Sequence, residues 1–162
     1  MHWKNIKIIT QVICCIYLPN NSINMATSKI IYSGELRTNA VHVSSSNSIV
    51  TDAPIDNFGK GEAFSPTDLA ATSLASCMLT VLGIYAQNNG INMIGSNAEV
   101  TKIMSSEGPR RIEEIKVELE ILTQEILDQK QIIILERVAR TCPVSLSLHP
   151  DLKQNIQIKF SN

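Results

Sequence analysis

From Leu69 to Gln87 the chain reads LAATSLASCMLTVLGIYAQ, a run without a single charged side chain. Ser65-Pro66-Thr67-Asp68 precedes it and spells a helix start: a serine N-cap, a proline suited to the first helical position, and an acid in the first turn. Asn88-Asn89-Gly90 supplies the stop. At 1.5 Å per residue such a helix is roughly 30 Å long, the span of a small domain. A helix apolar on nearly every side has to be a central one. Ala70, Ala71, Ser73, Ala75 and Ser76 are small enough to let neighbours approach closely. The rest of the chain must therefore serve as its cover. With 162 residues, 44% of them hydrophobic and 18% charged, there is material for one globular domain and little for a second.

The covering elements read as strands and one further helix. KIIYS, LRTNAVHV and SIVT, between Lys29 and Thr51, are short β-branched runs separated by turn residues, which predicts an antiparallel meander. DAPIDNFGKGEAFSP is a long loop, and loops of this length within compact domains often carry function. Residues 91–104 and 112–122 read as two strands. The second alternates cleanly, with Ile115, Val117, Leu119 and Ile121 on one face and Lys116, Glu118 and Glu120 on the other. A second helix is expected over 123–142, with Ile126, Ile133, Leu135, Val138, Ala139 and Cys142 on its apolar stripe, before Pro143 ends or kinks it. VSLSL is a short apolar segment, and NIQIKF closes the chain as a strand. This order predicts an α+β fold with a mostly antiparallel sheet.

The net charge of −1 and the single adjacent basic pair, Arg110-Arg111, argue against nucleic acid as a partner. An aromatic content of 4% leaves little for base stacking. The first residues, MHWKNIKIITQVICCIYLPNNSIN, hold an apolar run too short and too interrupted to span a bilayer, which takes about 20 residues. They also lack a small-x-small cleavage site. Residues 1–24 are read as an upstream extension, with a targeting segment as the alternative. Residues 25–162 are read as the domain, Met25 as its natural start and the cytoplasm as its compartment.

Of the four cysteines, Cys14 and Cys15 fall in that extension, while Cys77 and Cys142 fall in segments expected to be helical. This is no dense disulfide framework. Cys77 alone reads as a small core residue, since cysteine is among the most buried residue types. Together with Cys142 it becomes a candidate redox pair. One thiolate would attack an oxidant and the other would resolve the sulfenic acid into a disulfide. His42 and His149 show no local pattern for a cysteine–histidine nucleophile, nor do they show metal-ligand spacing.

GKGEAFSPTDLAATSLASC, the later TCPVSLSL, and the element order around them are similar to the OsmC/Ohr family, the osmotically inducible and organic hydroperoxide resistance proteins. The resemblance covers Ser28 to Phe160. It implies an intertwined homodimer in which sheets wrap paired central helices and two sites lie at the subunit interface. It also implies Cys77 as peroxidatic and Cys142 as resolving cysteine. The implied reaction is reduction of organic hydroperoxides to alcohols, with turnover through an external dithiol and without metal, flavin or haem.

In the peroxidase branches of the family that this chain resembles, an arginine in the loop before the long helix and a glutamate after the helix-start proline activate the thiol; this chain looks closer to the broader OsmC-like branches. Here Thr67 follows Pro66 and the loop carries no arginine. A peroxidatic thiol needs a nearby cation to favour its thiolate. Lys60, Glu62, Arg37, Arg110 and Arg111 are the candidates for that task or for lining the site, each also readable as an ordinary solvated charge. The competing reading is a non-enzymatic dimer of the same fold that binds a small apolar ligand or senses redox state.

Overall fold

A computed structural model describes residues 26–161. The reading of residues 1–24 as an extension, Met25 as the start, and Cys14 and Cys15 all lie outside the described residues. Six strands and three helices follow in the order β1 (Ser28–Gly34), β2 (Arg37–His42), β3 (Ser48–Asp52), α1 (Pro66–Asn88), β4 (Asn97–Met104), β5 (Ile112–Leu122), α2 (Gln129–Arg140), α3 (Pro143–Ser147) and β6 (Lys153–Ser161). The α+β expectation holds, although the strands divide into two three-stranded sheets, β1-β2-β3 and β4-β5-β6.

The long helix forms as its sequence dictates. Ser65 Oγ accepts from the Asp68 N–H at 3.1 Å and Asp68 Oδ2 accepts from the Ser65 N–H at 2.8 Å. This reciprocal capping box satisfies two donors that the first turn would otherwise leave open. At the far end the Asn89 N–H returns to the Ala86 carbonyl at 3.0 Å. The helix buries Ala71, Leu74, Ala75, Met78, Val81, Leu82, Tyr85 and Ala86, and it packs on β4 and β5 and against α2 and α3. Among the described residues it is the one helix long and apolar enough to cross a membrane. Here its buried stripe meets Ile115, Val117, Leu119 and Ile121 of β5 in a single core cluster.

Two boundaries differ from the sequence reading. Residues 91–96 are not strand. Asn92 Oδ1 accepts from the Ile94 N–H at 3.0 Å, and Gly95 takes φ +96°, a region open to glycine and closed to most residues. That side-chain turn competes successfully with the ladder, so β4 begins at Asn97. Nor does the second helix begin at Thr123. The Thr123 N–H still bonds to the Ser161 carbonyl at 3.0 Å, prolonging the β5–β6 pairing. Asp128 then caps α2 through a box with Gln131, both bonds 2.8 Å. Ile126, expected on the apolar stripe, is left outside the helix and 87% exposed.

β4 and β5 are antiparallel, whereas β5 and β6 are parallel. A parallel pair needs a crossover, and α2 with α3 provides it. This return brings the segment around Cys142 back across the face of β5 and toward α1.

Candidate functional site

Pro143 decides where Cys142 sits. A residue before proline is pushed away from helical angles, and proline suits the first position of a new helix. Cys142 is accordingly extended, at φ −65° and ψ 152°, and it N-caps α3 instead of ending α2. Its Sγ accepts from the Ser145 N–H at 3.4 Å, the position a serine or aspartate oxygen usually fills. The expectation of a helical cysteine is corrected here: α2 stops at Arg140, two residues short of it.

Cys77 lies beside Met78 on the edge of the buried stripe of α1. It is half-buried and packs against the core, while Cys142 is only 1% exposed. The two are free thiols. Burial pushes the Cys142 thiol up to about 11; the Ser145 N–H, and after it the Val144 N–H, oppose that rise, and the neighbouring Cys77 adds to it. Cys142 is therefore a protonated thiol at neutral pH, with Cys77 near enough to influence its titration; two such free thiols can join as a disulfide where their sulfurs are brought together.

The five charged candidates are placed elsewhere in the protomer. Arg37 ion-pairs with Asp52 at 3.2 Å and with Glu62. Lys60 pairs with Glu35, Arg110 with Asp56 at 2.8 Å, and Arg111 with Asp151 at 3.8 Å. Glu62, then Asp52, hold the Arg37 guanidinium above its ordinary value, and Glu35 does the same for Lys60. Arg37 and Glu62 do meet, as one cluster, but among the described residues neither is hydrogen-bonded or ion-paired to a cysteine. His42 bonds Ser45 at 2.8 Å and His149 sits 3.7 Å from Asp151. No group of three potential metal ligands occurs among the described residues.

Sequence reading missed two residues that organise these charges. Asp52 is fully buried at the end of β3, where its Oδ2 takes the Glu62 N–H at 3.0 Å as well as Arg37. The Glu62 N–H, followed by Arg37, keeps its carboxyl below the ordinary value. The loop can fold back in this way because Gly59 has no side chain: a Cβ there would lie 1.7 Å from the Ala53 carbonyl oxygen. Lys102 reaches from β4 to the start of α1, with Nζ 2.6 Å from Asp68, 2.8 Å from Thr67 Oγ1 and 3.3 Å from Ser65 Oγ. Burial acts to raise the Asp68 carboxyl, but Lys102 and Ser65 outweigh it and leave it lowered. An acid closing a strand before a proline-rich loop was a readable signal for Asp52. Lys102 carries none, because its strand position gives no hint that it meets a helix cap. Glu62, Phe64, Asp68, Ala71, Val100 and Lys102 line a cavity of about 480 Å³ beside that cap.

A protein of Psychrobacter arcticus 273-4, named for osmotic stress induction and a detoxification response, is 51% identical, with TM-score 0.78 over 86% of this chain and 99% of its own. The OsmC-like protein of Mycoplasma pneumoniae shares the fold at 19% identity and TM-score 0.69, over 86% of this chain and all (100%) of its own. The organic hydroperoxide resistance protein OhrB of Bacillus subtilis does so at 19% identity and TM-score 0.55, over 83% and 98%. No curated protein matches the chain. Residues 59–157, spanning the capped helix, β4 to α3 and most of β6, match the family described as OsmC-like protein, and the chain belongs to that family.

Proposed function

We propose that this protein is a thiol peroxidase that reduces organic hydroperoxides, with Cys77 attacking the peroxide and Cys142 resolving the product. The observation that carries the reading is that the middle of α1 and the start of α3 deliver two free thiols to one region of the core, where Cys77 is near enough to perturb Cys142. Family membership, with relatives named for hydroperoxide resistance and detoxification, supports a role in redox defence. Attack by the Cys77 thiolate on the outer peroxide oxygen would break the O–O bond, leaving an alcohol and a sulfenic acid. Cys142 would then displace water to close the disulfide, and an external dithiol would reopen it.

The working form in this reading is a homodimer in the cytoplasm, with neither nucleic acid nor membrane as partner. Ile30, Ile31, Tyr32, Ile49 and Val50 of the first sheet are all more than half exposed in the protomer, an apolar surface that a second copy would cover. The same association would offer the Arg37–Glu62 cluster, Lys60, Arg110 and Arg111 a route to the partner's thiols that they lack in their own protomer.

Reduced protein given one equivalent of an organic hydroperoxide should consume it within seconds and end with a Cys77–Cys142 disulfide. Cys77→Ser should abolish consumption, and Cys142→Ser should stop at the sulfenic acid. Peroxide left untouched over minutes by the wild type sinks the reading. The pairing of every candidate cation with a carboxylate favours a second reading in that event, a non-enzymatic dimer that holds a small apolar ligand. Native mass spectrometry for a co-purified ligand would test it.

A further inference from the structure

Cys142 is the residue whose deprotonation is hardest, since burial opposes its thiolate, yet it has to become the nucleophile of the second step. The group that most favours its negative charge is the Ser145 N–H, 3.4 Å from Sγ, with the Val144 N–H of the same turn adding to it. That donor belongs to a five-residue helix, too short to hold itself. Something outside α3 must fix it.

Gln154 does so. It is the second residue of β6, in parallel register with Ile115 of the buried central strand. Its Nε2 donates to the Ser145 carbonyl at 3.0 Å, and its Oε1 takes the Ser145 hydroxyl at 2.7 Å. The same hydroxyl lies 3.1 Å from the Arg140 carbonyl, which ties the end of α2 to the clamp. Ser145 is thus gripped through both its side chain and its backbone from a strand paired with the buried β5, and its N–H is left aimed at sulfur.

We infer that Gln154 is a positioning residue for the resolving step: through Ser145 it holds the amide that stabilises the Cys142 thiolate as the disulfide forms. The inference rests on the assignment of Cys142 as resolving cysteine. In the step itself the Cys142 S–H bond and the Cys77 S–O bond break, the S–S bond forms, and the thiol proton leaves with the hydroxide as water. No further oxidant is needed: the two electrons that Cys77 gave to the peroxide leave an oxidation that the two sulfurs share in the disulfide. Negative charge grows on Cys142 Sγ before the new bond is complete, and a fixed N–H donor at that atom lowers the barrier as an oxyanion hole does.

The test, in the full-length protein with Cys14 and Cys15 replaced by serine, loads Cys77 with an aromatic disulfide reagent and follows release of the aromatic thiolate as Cys142 displaces it. No peroxide enters this arm. Gln154→Leu, which keeps the bulk and removes both hydrogen bonds, should slow release about tenfold, the scale of one charge-assisted hydrogen bond, and shift its pH profile to the alkaline side. Gln154→Glu, which keeps the acceptor for the Ser145 hydroxyl, should fall between the two. Cys142→Ser is the control without release. Equal rates and superimposable pH profiles for wild type and Gln154→Leu would overturn the inference. So would slower release with an unshifted profile, because that marks a merely structural loss. Parallel hydroperoxide assays separate the two failures: wild type inert to peroxide but with a Gln154-sensitive release step loses the peroxidase reading and keeps this one.

Discussion

The two sheets are built from similar sequence and meet opposite fates. In β5 the residues Ile115, Val117, Leu119 and Ile121 are no more than 2% exposed, sealed under α1. In β1 the run Ile30-Ile31-Tyr32 is 64–67% exposed. The chemistry of the side chains is the same; what differs is the supply of cover. One long helix can lie on one sheet, and α1 lies on β4–β6. The pattern already carries part of this difference. β5 alternates apolar with Lys and Glu and so needs cover on one face, whereas Ile30 and Ile31 are neighbours in a strand and point to opposite faces, so β1 needs cover on both. Among the described residues β1 is left without that cover, and the proposed second copy is what would supply it.

The comparison can be broken or sharpened by experiment. The largest effect belongs to the sealed sheet: Ile121→Ala should cost about 2–5 kcal/mol in urea unfolding, the range for truncating a buried aliphatic side chain. Ile30→Ala in the same assay should cost far less in the dissociated protomer, and equal losses would erase the contrast between the sheets. Next comes Ile31→Glu, which in the proposed dimer should weaken self-association at least tenfold by sedimentation equilibrium while leaving the circular dichroism spectrum unchanged. A variant that self-associates as wild type does would show that this face is not the one covered.

A smaller effect concerns Asp52, the buried acid of the exposed sheet. Its carboxyl is held below the ordinary value of 3.8, so the ionised form is the one the fold favours. Its contribution is complete above pH 3.8 and is lost as pH falls through the lower, folded value. Asp52→Asn should therefore flatten the acid limb of the unfolding curve and leave its neutral-pH shape alone; an unchanged acid limb would show that Asp52 does not govern it. The smallest effect is expected from Arg110→Ala. Its pair with Asp56 links the loop after β3 to the β4–β5 turn, but both side chains are largely exposed. Such pairs contribute little, so the melting temperature should stay where it is.

Much of the fold was legible because local chemistry and global structure agree. Ser65, Pro66 and Asp68 announce the helix they cap, and the alternation of β5 announces a half-buried strand. Sequence reading failed where one local preference displaced another. The Asn92 turn with Gly95 took the first residues of β4, and the Thr123 bond to Ser161 together with the Asp128 cap pushed α2 downstream. For the site, the motif around each cysteine was readable, and so was the idea of pairing them. The partners of Arg37, Lys60, Arg110 and Arg111 were not, since an exposed charge looks the same in sequence whichever carboxylate it finds.

By itself, then, the sequence determined a central uncharged helix, the strands that flank it, and two cysteines in recognisable surroundings. These follow from interactions among residues close along the chain: caps, periodicity, and the angles that proline allows. Only the tertiary structure decided that Cys142 comes within range of Cys77 and that Gln154 grips Ser145 behind it. The physical reason is the parallel β5–β6 pair. Its crossover carries α2 and α3 over the sheet, and so brings residues distant in sequence into hydrogen-bonding range, where no local preference could have announced them.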